Sequence, residues 1–146
     1  QDVPGVANAG RAYLFFGGAA LDATPDLSIN GSVSGNTFGA TVAGLGDING
    51  DGFSDWVVGE PGDDSSGIDS GRVLVYFGGA NPDSTSDLEM RGDAGSHRLG
   101  LHTGAVGDVN GDGYADFTAS SNPPTTAGQV DLFLGGAAPS AVAHAV

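Results

Sequence analysis

Two nine-residue stretches of this chain, Asp47-Ile-Asn-Gly-Asp-Gly-Phe-Ser-Asp55 and Asp108-Val-Asn-Gly-Asp-Gly-Tyr-Ala-Asp116, carry oxygen-bearing side chains at positions one, three, five and nine around a glycine at six. A hard cation such as calcium takes six to eight oxygen ligands at about 2.3–2.6 Å. A short loop supplies them by alternating ligand and spacer, with a glycine to allow the sharp turn. The spacing predicts two calcium loops. The side-chain ligands of the first are Asp47, Asn49, Asp51 and Asp55, with the carbonyl of Phe53. Those of the second are Asp108, Asn110, Asp112 and Asp116, with the carbonyl of Tyr114. Without a cation the three carboxylates of each loop repel one another. A solvated Asp/Asn/Gly turn explains one such loop tolerably and two matched copies poorly.

Several kinds of calcium loop share these first six positions. An EF-hand needs a bidentate Glu at position twelve and a helix on each side, and a dockerin-type loop also needs an acid there. Position twelve here is Val58 or Ala119, neither of which can bind metal. The residues after each loop, Trp56-Val57-Val58 and Phe117-Thr118-Ala119, are β-branched and aromatic and read as strands. The loops therefore join strands, and the fold class expected is all-β.

Composition fits a secreted all-β chain. With 27 Gly, 7 Pro and no Cys in 146 residues, turns are frequent and calcium takes the place of disulfide staples. The net charge of −14 and the absence of Lys argue against nucleic acid or an anionic membrane as partner. Two bound Ca²⁺ would reduce that charge to about −10 and relieve self-repulsion. No apolar run approaches the roughly 20 residues of a membrane span, so no membrane insertion is expected. The start at Gln1 rather than Met suggests a processed N-terminus and an extracellular or cell-surface location.

An offset of 61 residues maps Asp47 onto Asp108, Gly10-Arg11 onto Gly71-Arg72, Phe16-Gly17-Gly18-Ala19 onto Phe77-Gly78-Gly79-Ala80, and Asp26-Leu27 onto Asp87-Leu88. It also maps Phe38-Gly39 onto Leu99-Gly100. A third strand element, Gly128 to Gly136, recurs at an offset of 57.

Phe38-Gly39, the loop from Asp47 to Asp55, Gly59-Glu60-Pro61 and the strand Gly71 to Phe77 together resemble an FG-GAP repeat, the blade unit of the integrin α-subunit β-propeller and its bacterial relatives. The resemblance covers nearly the whole chain. It implies four-stranded antiparallel blades, with the FG segment leading the innermost strand and the calcium loop joining strands one and two. In the second copy Leu99 replaces Phe38, and Ser120-Ser121-Asn122 replaces Gly59-Glu60-Pro61, while the metal loop is intact.

Laid along the chain, the blade pattern gives one repeat domain over residues 1–146 with about two to two and a half blades. A partial blade spans 10–37, with strands expected at Arg11 to Phe16 and Asp26 to Ile29. A full blade spans 38–90 with calcium loop 47–55. A second unit spans 99–136 with calcium loop 108–116, and its strands are expected at Leu99 to Val106, Asp116 to Ala119 and Gln129 to Leu134. Residues 137–146 form a tail. A propeller needs about four to eight blades to close. Unpaired strand edges template pairing with another chain. The expected partners are therefore other copies of the chain, joined head-to-tail into a ring or a filament, or neighbouring blades.

The remaining candidates are weaker. Arg91-Gly92-Asp93 spells an integrin-recognition tripeptide, but it aligns with Asn30-Gly31-Ser32, so its Gly belongs to the repeat. Asn30 opens an N-glycosylation sequon, and Thr125 and Thr126 are candidate O-glycosylation sites, which makes glycans further candidate partners. His97, His102 and His144 have no partner pattern of a triad or zinc site and are expected on the surface. Trp56, Phe15, Phe16, Tyr76, Phe77 and Phe133 are expected on strands and in the core rather than as sugar platforms. No nucleophile–base constellation is present, so the chain is not expected to be an enzyme. The function expected is a calcium-stabilised extracellular structural or adhesive module. The alternative is a carbohydrate-binding or accessory fragment of a larger secreted propeller protein or enzyme.

Overall fold

Short apolar runs bounded by glycine and aspartate fold into nine strands in the computed structural model, which describes residues 4–18, 23–93, 95–124 and 127–142. The strands are β1 (Arg11–Leu14), β2 (Leu27–Asn30), β3 (Thr41–Gly46), β4 (Asp55–Glu60), β5 (Arg72–Tyr76), β6 (Leu88–Arg91), β7 (His102–Gly107), β8 (Asp116–Ser121) and β9 (Gln129–Phe133). They form three antiparallel sheets, β1-β2, β3-β4-β5-β6 and β7-β8-β9, here called the first, second and third blades. The described residues include no helix long and apolar enough to cross a membrane.

The 61-residue repeat is visible in the ladders. Thr41 pairs with Gly59 as His102 pairs with Ser120. Each ladder slips at its end, between Gly44 and Gly46 and between Ala105 and Gly107, so a bulge aims the chain into the acidic loop. The third blade therefore keeps the geometry of the second despite its altered flanks.

Strand ends differ from expectation where side chains or neighbouring blades take the backbone groups. β1 stops at Leu14 because the Phe16 amide donates to the Asp26 carboxylate (2.7 Å), and the Phe77 amide donates to Asp87 at the same distance. β7 starts at His102 rather than Leu99 because Leu99 bridges to Gly71 of the preceding blade, as Phe38 bridges to Gly10. At these crossings a side chain in place of Gly71 would collide with the Leu99 backbone, so only glycine fits.

The core lies between blades. One cluster joins the second and third blades through Leu45, Ile48, Val57, Val73, Val75, Met90, Leu99, Phe117, Ala119 and Phe133. A smaller one joins the first and second through Ile29, Phe38, Val58, Leu74 and Tyr76. β4 is buried on both faces, which is why its sequence is a continuous run rather than an alternation. Each fully buried Val there contributes about 1.5–3 kcal/mol.

Two expectations about aromatic residues fail. Phe15 and Phe16 lie beyond the end of β1 and are about half exposed instead of packed in the core. In the 61-residue repeat they correspond to Tyr76 and Phe77, which are more deeply buried. Tyr76 and Phe133 are buried as expected, with Tyr76 stacked on Trp56 and Phe133 on the buried Phe117.

Candidate functional site

Both acidic loops leave the bulged end of an inner strand and return as β4 or β8, and their internal hydrogen bonds match. Asp47 Oδ1 accepts from the amides of Gly50 (2.6 Å) and Asp51 (3.1 Å), and Oδ2 from Gly52 (2.9 Å). Asp108 does the same with Gly111 (2.7 Å), Asp112 (3.1 Å) and Gly113 (2.8 Å). Asn49 Oδ1 accepts from the Asp51 amide and Asp51 Oδ1 from that of Phe53, and Asn110 and Asp112 repeat the pattern. The side chains Asn49 and Asn110 donate to Asp51 and Asp112 at 3.0 and 2.9 Å.

The ninth-position carboxylates stand apart from the other acids. Asp55 is buried and receives the amides of Ile48 (2.8 Å) and Gly78 (2.7 Å), tying the start of its loop to the end of β5. Asp116 receives Val109 (2.8 Å) and Gly135 (2.8 Å) in the same way. Among the described residues, no three His, Cys, Asp or Glu side chains converge closely enough to hold a metal. The structure thus brings together the first, third and fifth positions of each loop and sets the ninth against the strands.

Charge is distributed to match. Burial pushes the Asp55 carboxyl above the ordinary carboxylate range, the two amide hydrogen bonds oppose this, and the Asp51 and Asp47 charges push it further up. Asp108 is held below that range, first by the Gly113 amide, opposed by desolvation, and then by the amides of Gly111, Asp112 and Asn110. None of the ion pairs among the described residues involves a loop carboxylate. The donor set in each loop is all hard oxygen, and each carboxylate oxygen that accepts one amide keeps a second lone pair. This donor set suits calcium or a similar hard cation. Val58 and Ala119, the twelfth positions, are buried strand residues and have no oxygen to offer from their side chains.

A second polar centre was not foreseen as a unit. Arg72 Nε donates to Glu60 Oε2 (2.6 Å) and lies 3.4 Å from Asp63 Oδ1, and Nη1 donates to Glu89 Oε1 (2.7 Å). Burial works against the Arg72 charge, but the hydrogen bonds to Glu60 and Glu89 outweigh it and raise its pKa. Asp63 also accepts from Asn36 Nδ2 and from Ser65. The repeated Gly-Arg pair, half of the four cationic residues in the chain, was the signal in the sequence.

The other candidates take modest places. Arg91 pairs with Glu89 (2.8 Å), and Asp93 lies 2.7 Å from His97 Nδ1, so both flanks of the tripeptide have internal partners. His102 is exposed on β7. Asn30 ends β2 with its side chain exposed, and Gly31 packs beneath Ala9 and Phe38. Thr125, Thr126 and His144 lie outside the described residues.

The geometry defines a repeat protein of β-blades joined face to face, each loop-bearing blade carrying one acidic turn. The FG-GAP repeat family model matches residues 101–133, the copy whose flanks depart most from the repeat. The chain is 32% identical over 118 residues to integrin alpha-5 of Xenopus laevis and 37% identical over 117 residues to integrin alpha-IIb of Mus musculus, 76% of this chain in each case. A shorter stretch of 52 residues is 48% identical to integrin alpha ina-1 of Caenorhabditis elegans. The chain is thus an FG-GAP repeat chain, and it spans 11% of the length of the first two relatives.

Proposed function

We propose that this chain is a calcium-stabilised repeat module of an extracellular adhesive or structural protein, a binding unit rather than an enzyme. The observation that carries the reading is the matched pair of acidic loops, alike in every internal hydrogen bond and without a cationic partner among the described residues. Asp47, Asn49, Asp51 and Asp55 with the Phe53 carbonyl would hold one ion, and Asp108, Asn110, Asp112 and Asp116 with the Tyr114 carbonyl the other. A bound ion supplies countercharge and cross-links the two strands that flank each loop. The protein's own contribution is to fix positions one, three and five through backbone amides before the ion arrives. The similarity to integrin α chains supports the extracellular and adhesive parts of the reading.

Assembly belongs to the same proposal. The first blade has two strands and the third has three, so β1 and β9 each lack a ladder partner on one side among the described strands. Such edges accept strands from other units. A contact between unlike surfaces propagates head-to-tail, and an acidic, lysine-free surface suits a filament.

Thermal melts in calcium and in chelator test the metal. A site adds about 2.7 kcal/mol at a hundredfold excess over Kd, so two sites raise Tm by roughly 10 °C or more. Asp51→Ala combined with Asp112→Ala should remove that rise. Equal Tm values with and without calcium would overturn the reading.

A further inference from the structure

The two acidic loops touch, and the second holds the first. The Ala115 amide, at position eight of the second loop, donates to the carbonyl of Asp47, position one of the first (3.0 Å). The Gly136 amide donates to the carbonyl of Ile48, position two of the first loop (2.8 Å). Gly135 beside it is tied back to the second loop, since its amide donates to the Asp116 carboxylate (2.8 Å). A Cβ on Gly135 would collide with the carbonyl oxygens of Ala115 and Ile48, so this close crossing requires glycine. All of these contacts lie between the second and third blades, inside the chain.

Tyr114, position seven of the second loop, adds its side chain to this contact. A Cβ placed on Gly50 would lie 2.5 Å from Cε1 of Tyr114 and 3.3 Å from Cδ1, so the ring rests directly against the Gly50 backbone. Gly50 matters to the first loop because its amide donates to Asp47 Oδ1 at 2.6 Å, beside the amides of Asp51 and Gly52. Its φ is 79°, and glycine has the widest backbone freedom of any residue. The ring thus restrains the part of the loop that would otherwise order least readily. Asp47 is held from the third blade at two points, its carbonyl through Ala115 and its carboxylate through Gly50 beneath the ring. A site fixed before its ion arrives avoids the ordering cost that a loose one incurs on binding.

We propose that the calcium affinity of the first loop is set from the third blade, with Tyr114 as a positioning residue for an ion it does not itself ligate. The inference rests on the reading that both loops bind calcium. It divides Tyr114 into two roles. The carbonyl serves the second loop and the ring serves the first. A substitution at this position keeps the carbonyl and removes the ring, so its effect falls on the neighbouring loop rather than on the loop that contains it. The atoms nearest Gly50 are ring carbons, so phenylalanine preserves the role. Leaving one residue's backbone to be ordered by the ion corresponds to roughly tenfold in affinity.

The test titrates the full chain, labelled with ¹⁵N, with chelator-buffered calcium and follows the amides of Gly52 and Gly113. These bond to Asp47 and Asp108 and so report one loop each. In a Tyr114→Ala chain the first loop should bind roughly tenfold more weakly while the second stays within about twofold of the unaltered protein, and Tyr114→Phe should restore the first. An equal loss at both loops, or a loss confined to the second, would overturn the proposal and leave calcium binding intact. A first loop still weakened in Tyr114→Phe would also overturn it, because the ring would then not be what acts. A second arm does not depend on how Tyr114→Ala folds. In an Asp108→Ala chain only the first loop keeps its full ligand set, and the ring protons of Tyr114 should still shift in step with the Gly52 amide as calcium is added. Ring protons that stay fixed while the Gly52 amide saturates would contradict the proposed contact. No saturable shift of either amide in the unaltered chain would overturn the calcium reading, and this inference with it.

Discussion

Ile48 and Val109 hold the second position of the two acidic loops, yet Ile48 is fully buried and Val109 is 53% exposed. The bulged residues just before them repeat the contrast, with Leu45 buried and Val106 exposed. Inside the loops nothing differs, since every carboxylate–amide bond of one has its counterpart in the other within about 0.1 Å. What differs is the neighbour. The second blade has the third packed against it, so that the Gly136 amide reaches the Ile48 carbonyl (2.8 Å) and the Tyr114 ring covers Gly50. Local sequence sets the conformation of the loop, and the next blade sets its burial.

The contrast can be broken most strongly at Arg72. Replacing it with Ala leaves the buried Glu60 without its partner and should cost about 3–5 kcal/mol in a denaturant melt, whereas Gln129→Ala, the same place in the third blade, should cost under about 0.5 kcal/mol. Equal losses would show that the charged centre does not distinguish the blades. Next in size is the loop apolar residue. Ile48→Ala should cost about 2–4 kcal/mol through the cavity left between blades, and Val109→Ala under about 1 kcal/mol. Similar values for the two would mean that the neighbouring blade contributes little.

Alkaline pH offers a third comparison. The Tyr76 phenol is pushed up to about 12 by burial, opposed by the Arg72 charge and assisted by Glu60, Glu89 and Asp87. The unfolded chain ionises this group near 10, so its contribution is complete below pH 10 and is lost as pH rises from 10 through 12. The loss should approach about 2–3 kcal/mol and be absent in a Tyr76→Phe chain. The third blade already has a phenylalanine, Phe133, at that position. A pH profile unchanged by Tyr76→Phe would contradict the burial argument. The smallest effect is at the loop glycines. Gly50 and Gly111 have φ of 79° and 77°, so Ala strains both by about 1–2 kcal/mol. Gly50→Ala should cost about 1 kcal/mol more than Gly111→Ala, because only there does the new methyl group meet the Tyr114 ring.

Much of this organisation was legible in the residues. The 61-residue offset located both loops, the matching ladders and the all-β class, because an alternating or buried strand pattern and an Asp/Asn/Gly turn are local signals. Less legible were features that depend on which blade stands on either side. Phe15 occupies the place of Tyr76 but is exposed, since among the described strands only β2 lies beside β1, whereas β5 has β4 and its Trp56 on that side. Asp55 has a ligand's spacing, yet its oxygens receive amides from Ile48 and from Gly78, 23 residues on, which no local pattern announces. The Arg72 network joins β4, β5 and β6, and only the repeated Gly-Arg pair hinted at it. Leu99 read as the start of a strand but serves the crossing to the preceding blade.

A calorimetric calcium titration of the chain beside its Asp47→Ala and Asp108→Ala variants tests the two-loop reading most directly. Two ions per chain are expected for the unaltered protein and one for each variant, with the first loop, backed by the neighbouring blade, keeping its affinity when the second is lost. No saturable binding by the unaltered chain, or two ions still bound after either substitution, would contradict the assignment of one calcium to each loop.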